Sequence, residues 1–282
     1  MILDFLASWD LFRDTYVAGW LIAALLATVG VWVVARDQVF LGVAVSQASA
    51  LGIAVALWVG YLGGDGGGLE MHGELFPSTL AVAAAIATAL VGMRRQPEGG
   101  ESPEAATAWV FLLAGSVPVL LLSGSPHGLE EVHRLMFSTL LGASASDAWI
   151  LGAAGLATAV ALLLWHRPLL LLAMDPEMAS AIGIRRRAVG IAVAVWLGLC
   201  VGLAMRVSGM LYSFGCLVLP GLAARSLSRE MGPVLWRAPL LAVAAAVPAF
   251  VLANGLDMPP AHATVAMLCT FVGLGWLFGR RG

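Results

Sequence analysis

Runs of roughly 20 apolar residues, almost free of charge and separated by short charged segments, recur along the whole chain. This pattern restricts the fold more than any single motif. A bilayer core of about 30 Å is crossed by a helix of about that length. Lipid offers no hydrogen bonds to the backbone, so each run must satisfy its own N–H and C=O groups as a helix. Apolar and polar residues do not alternate with period two, which argues against an outer-membrane barrel. Of the 282 residues, 60% are hydrophobic and only 11% charged. A water-soluble domain is nearer half apolar and a quarter charged.

Taking the breaks as loops predicts an all-α, polytopic transmembrane bundle of about nine spans, with eight or ten as the alternatives. The spans fall at Tyr16–Ala35, Val39–Leu62, Ser78–Met93, Ala105–Ser123, Asp147–Trp165, Ala188–Met205, Met210–Ala224, Ala238–Asn254 and Pro260–Phe278. The break between the sixth and seventh is only Arg206, Val207, Ser208 and Gly209. Every basic residue is arginine. With the N-terminus outside and the C-terminus cytoplasmic, 12 arginines lie inside and 3 (Arg13, Arg134, Arg206) outside, a strong positive-inside bias. The opening segment carries Asp4, Asp10 and Asp14 against Arg13. It lacks the basic start of a cleaved signal peptide, so the first run reads as a retained span. Cys200, Cys216 and Cys269 fall inside spans without CxxC spacing and read as small packing residues.

Two kinds of segment hold candidate functional residues. The long inside loop, 166–187, contains Asp175-Pro176-Glu177, which reads as an N-cap, a proline at the first helical position and an acidic first turn. Gly183 would end that helix after about two turns, and Arg185, Arg186 and Arg187 follow. Such an element is either a docking helix or an ordinary interfacial loop. Within the spans, polar groups are costly unless paired or facing water. Ser46, Gln47 and Ser49 of the second span and Arg206 are therefore pathway candidates, against the alternatives of interhelical hydrogen bonding and, for Arg206, snorkelling.

At the outer face, Glu70, His72 and Glu74 follow the second span, and His127, Glu130, Glu131 and His133 follow the fourth. Asp257 and His262 flank the start of the last. In a helix His127 and Glu131 are i,i+4 neighbours. These groups read as either solvated loop residues or a metal-attracting outer mouth. Mid-span Asp or Glu is lacking, which argues against an ion-driven secondary transporter. An HExxH cluster and a P-loop are also lacking, the latter with no lysine anywhere in the chain, and no basic aromatic patch suggests nucleic acid.

The segment from Asp175 to Gly183, DPEMASAIG, resembles the DPE-x-A-x-x-x-G coupling segment of the ABC-3 family, the permeases of zinc and manganese ABC importers. Matches continue in order on either side. They are Gly42–Ala54, Phe137–Ser144, Leu203–Pro220 (LAMRVSGMLYSFGCLVLP), Gly221–Arg225 and Leu256–Pro260. The resemblance implies a single permease domain over 1–282 in a cell (inner) membrane, working as a homodimer. It also implies a cytoplasmic ABC ATPase that binds the ATP and an extracytoplasmic solute-binding protein. No cofactor or covalent chemistry belongs to this chain. Asp175, Glu177, Ala179, Gly183 and Arg185–Arg187 become the ATPase-coupling residues, and the substrate becomes zinc or manganese. In the second span the family places an Asp and a His in the pathway. The matching positions here are Val43 and Gln47, and an amide is a weak ligand for either metal. Three explanations stay open: a permissive pathway fed by a selective binding protein, ligands moved to the outer mouth, or a metal chelate or other small solute as substrate.

Overall fold

The computed structural model describes residues 5, 8–62, 75–93, 102–124, 130, 140 and 142–278. Among these residues all regular structure is helical. In chain order the helices are α1 (Trp9–Ala35), α2 (Val39–Leu62), α3 (Leu75–Gly92), α4 (Pro103–Leu122), α5 (Ala145–Met174), α6 (Pro176–Ala181), α7 (Arg186–Ser226), α8 (Met231–Gly255) and α9 (Pro260–Phe278). Seven of them are long and apolar enough to cross a membrane; α3 is the shorter apolar helix, and α6 is a single short element.

The sequence dictates the helix starts where the caps are visible. Ser102 accepts the Ala105 N–H at the head of α4, with Pro103 at the first position. Ser144 and Asp147 form a reciprocal capping box on α5.

Two of the expected breaks are kinks within a helical run rather than loops. The fifth ends at a kink at Trp165, as expected, but the residues beyond it, His166–Met174, form a second helical segment of α5 rather than loop. Pro168 accounts for the kink, since its ring displaces the turn before it, and the backbone leaves helical geometry at Trp165 (φ −126°, ψ 16°). The sixth and seventh spans meet without a loop: α7, of 41 residues, is two helices joined at a kink at Gly209, where the break between them is expected. Its one non-helical residue is Gly209, at φ 71° and ψ 176°, a conformation open essentially to glycine alone.

The chain forms two compact units. One comprises 1–37, 139–186 and 211–282; the other comprises 38–138 and 187–210. In the first, α1 packs against α5 and α8, and α8 against α9. Its core is rich in alanine: Ala238, Ala242, Ala245, Ala246 and Ala249 of α8 are fully buried. Such small residues let helix backbones approach closely in place of a water-driven hydrophobic force. In the second unit, α2 packs on α3 and α4. A Cβ on Gly198 of α7 would lie 2.5 Å from Ile86 Cα on α3, so that crossing depends on glycine. The lipid-like exposure of Trp109, Leu112, Trp149, Leu163 and Trp276 on α4, α5 and α9 fits helices whose outer faces meet hydrocarbon rather than water.

A short capped helix and the buried polar groups of the second helix

α6 is built by its ends. Asp175 leaves α5 in a non-helical conformation, and its Oδ1 accepts the N–H groups of Glu177 at 3.1 Å and Met178 at 3.0 Å. Pro176 follows at the first helical position, where its missing N–H costs nothing. At the other end Gly183 takes φ 89°. The Ile184 N–H reaches the Ala179 carbonyl at 3.0 Å, and the Gly183 N–H reaches that of Ser180 at 3.1 Å. This pair of bonds is the Schellman termination, which a left-handed glycine makes at no steric cost. Ala179 is fully buried where α6 packs on α5, whereas Met178 and Ile182 are 55% and 61% exposed. The short helix thus has one face seated by Ala179 and leaves the apolar side chains of Met178 and Ile182 exposed on another. Glu177, Arg185 and Arg187 are exposed beside it, and Arg186 is half-buried.

The polar group of α2 is inside the protein. Ser46, Gln47 and Ser49 are all buried. Ser46 donates to the Gly42 carbonyl at 3.0 Å, which satisfies it within its own helix. Among the described residues, Gln47 Oε1 and Ser49 Oγ have no hydrogen-bond partner. Gln47 lies over α4 at Gly115, where a Cβ would come within 3.2 Å of its Nε2. Val43, one turn before, is half-buried. The amide is thus held in a space that glycine leaves open, with an acceptor still available. Arg206 is half-buried on α7, three residues before Gly209.

Asp257 is exposed in the turn between α8 and α9, at φ 53°. It lines a cavity of about 360 Å³ together with Thr15, Tyr16, Phe250 and Asn254. His262 is half-buried in the first turn of α9. The remaining outer-mouth candidates, Glu70, His72, Glu74, His127, Glu131 and His133, lie outside the described residues. Among the described residues no three His, Cys, Asp or Glu side chains gather in a metal-binding group.

Several organising groups carried no signal in the chain's pattern. Asn254 Oδ1 accepts from the Tyr16 hydroxyl at 3.0 Å and from Ser8 at 3.2 Å, inside a cluster of Phe5, Trp9, Tyr16, Trp20 and Phe250 rings. Tyr212, fully buried, donates to the Gly19 carbonyl at 2.9 Å. Arg225 bonds the Val34 carbonyl at 3.2 Å and forms an ion pair with Asp37. Each joins segments some 190 or more residues apart, a distance over which no local periodicity reports.

The profile of the ABC 3 transport family matches residues 8–278. The chain belongs to that family and is a multi-pass membrane protein. A manganese transport system membrane protein, MntC of Halalkalibacterium halodurans, is 23% identical over 281 residues, covering 99% of this chain and 90% of that protein. The fold is that of PsaBC from Streptococcus pneumoniae, solved with a Fab (TM-score 0.80, 16% identity, 99% of this chain and 96% of that one). It is also similar to an inward-facing transporter provisionally described as of the metal-chelate type (TM-score 0.72, 16% identity, 94% and 85%).

Proposed function

We propose that this chain is the membrane-spanning subunit of an ABC importer that carries a divalent transition metal, manganese or zinc, across the cell (inner) membrane. ATP is bound and hydrolysed by a cytoplasmic ATPase subunit, two copies of the chain enclose the pathway, and an extracytoplasmic binding protein delivers the substrate. The observation that carries this reading is α6. A helix rigidly capped at both ends, seated by Ala179 and presenting Met178 and Ile182, can pass motion of a bound ATPase into α5 and α7 as a rigid lever. Asp175, Glu177, Gly183 and the arginines 185–187 frame that contact. Family membership and the manganese-transport name of a relative that spans nearly the whole chain support the metal.

Gln47 is the pathway group of α2. Its neutral amide oxygen holds a bare ion weakly, so selection for the metal falls to the binding protein and to acidic and histidine groups at the outer mouth, Asp257 and His262 among them. A second reading, a metal chelate as substrate, is favoured by the same amide in place of an imidazole and by the likeness to a transporter of metal-chelate type.

Expression with the ATPase and binding protein in a bacterial strain stripped of its own manganese and zinc importers tests the reading. Growth in metal-depleted medium should return with the wild-type chain. No rescue by either metal, in cells where the complex is assembled, would refute it.

A further inference from the structure

The first turns of α1, the end of α8 and the start of α9 enclose the cavity of about 360 Å³ that Asp257 lines. Three rings form its walls: Phe12 lies 6.1 Å from Tyr16, centre to centre, and Tyr16 meets Phe250 edge to face at 5.8 Å. Asn254 Oδ1 holds the Tyr16 hydroxyl at 3.0 Å, which fixes the central ring. Among the described lining residues Asp257 alone carries a charge, and it is exposed at the rim. Its backbone sits at φ 53°, just past the end of α8, where the Met258 N–H closes onto the Ala253 carbonyl at 2.9 Å. A helix end usually gives that left-handed position to glycine, so an aspartate there costs some strain and puts a carboxylate on a fixed backbone. Along α5, Gly152 lies against Leu21 and Leu162 packs on the cluster of Val31, so α5 runs beside α1 in the same direction. α6 therefore leaves α5 at the end of this unit opposite the cavity.

We propose that this cavity receives a lysine or arginine side chain of the extracytoplasmic binding protein, its cation paired with Asp257 and its apolar stem between the rings. The importer reading, on which this rests, puts α6 in the cytoplasm and so opens the cavity to the side where the binding protein docks. Asp257 thereby gains a definite part at the outer mouth: its carboxylate seats the protein that delivers the metal. The chemistry of the walls selects the occupant. Aromatic faces attract a cation within about 6 Å of the ring centre. A carboxylate forms charge-assisted hydrogen bonds with an ammonium or guanidinium group and repels an anion. The volume stands at the small end of the roughly 300–1,000 Å³ of ligand pockets, room for one long side chain and not for a folded segment. A basic side chain seated in an aromatic pocket is also the kind of anchor that dominates a protein–protein contact.

The experiment places the full chain with its ATPase in nanodiscs and reads the affinity of the metal-free binding protein by surface plasmon resonance. Asp257→Asn removes the charge and keeps a residue that accepts the left-handed turn. It should weaken binding about tenfold at low salt, with the difference shrinking as salt rises. Phe12→Leu keeps an apolar wall without the ring and should weaken binding about threefold. Asp10→Asn, which alters an exposed carboxylate outside the cavity, should leave the affinity unchanged. Wild-type affinity in both cavity variants would overturn the proposal alone, whereas a wild-type complex that binds no binding protein would overturn the importer reading with it. Loss of affinity confined to the manganese-loaded binding protein would give Asp257 to the metal and would also overturn it. So would thermal stabilisation of the wild-type complex by n-butylammonium, abolished in Asp257→Asn while binding-protein affinity is unchanged, since the cavity would then take a free amine.

Discussion

At the residue scale the account turns on a few positions whose chemistry has no substitute. Gly183 sits at φ 89°, where a side chain costs on the order of 1–2 kcal/mol, so Gly183→Val should unseat the end of α6. We expect the protein to reach the membrane in normal amount while ATP-driven uptake falls by at least tenfold; uptake at the wild-type rate would remove the coupling role. Asp175→Ala deletes the acceptor for two N–H groups and should cost about 1 kcal/mol of local helix stability, seen as faster amide exchange over 176–181 with little change elsewhere. At α2, the pair Val43→Asp with Gln47→His supplies the carboxylate and imidazole that zinc prefers. This double variant should bind zinc at least tenfold more tightly than the wild type in calorimetry of the detergent-solubilised protein, and equal affinity would show that the 43–47 face does not meet the ion.

These residues also mark how far the sequence could be read. Asp175, Pro176 and Gly183 were legible because caps and terminators act within a turn of where they stand. Gln47 was legible as a costly polar group. Gly115 was not, because its part is to leave room for a side chain 68 positions earlier (115 − 47), and a glycine in an apolar run looks like any other packing residue.

The helices behaved as the apolar runs required, and two of the expected breaks are kinks rather than loops. The fifth span was expected to end at Trp165, and the backbone kinks there ahead of Pro168, but helix resumes to Met174 because the residues beyond are again apolar. The short stretch Arg206–Gly209 marked the break between the sixth and seventh spans, and the two helices do meet there, at a kink at Gly209 instead of a loop. Periodicity gives the identity of an element well and its ends poorly. Both breaks make predictions at this scale. Gly209→Ala forces a side chain into a region open essentially to glycine, at about 1–3 kcal/mol. It should lower the thermal midpoint of the purified protein by several degrees; an unchanged midpoint would mean the kink relaxes freely. Pro168→Ala restores a backbone N–H to α5 and should reduce metal carried per ATP hydrolysed without lowering expression, because α6 hangs from the end of that helix.

For the whole molecule, the chain is one member of a transport family, folded as two compact helical units with α7 contributing to both. The ordered motifs from Gly42 to Pro260 pointed to that family because they span the fold in its own order, and the family match over residues 8–278 bears this out. What remained hidden were long-range ties such as Tyr16–Asn254 and Arg225–Asp37, which only the packed structure brings together.

The central claim is that this chain moves a divalent transition metal with energy from a partner's ATP. The direct measurement is uptake into proteoliposomes that hold the chain, its ATPase and its binding protein, across a panel of divalent metals. The account predicts accumulation of manganese or zinc only with hydrolysable ATP inside contact of the ATPase, abolished when the ATPase cannot hydrolyse it. Accumulation driven by an ion gradient without ATP, or ATP-driven accumulation of another solute with no divalent metal carried, would contradict it.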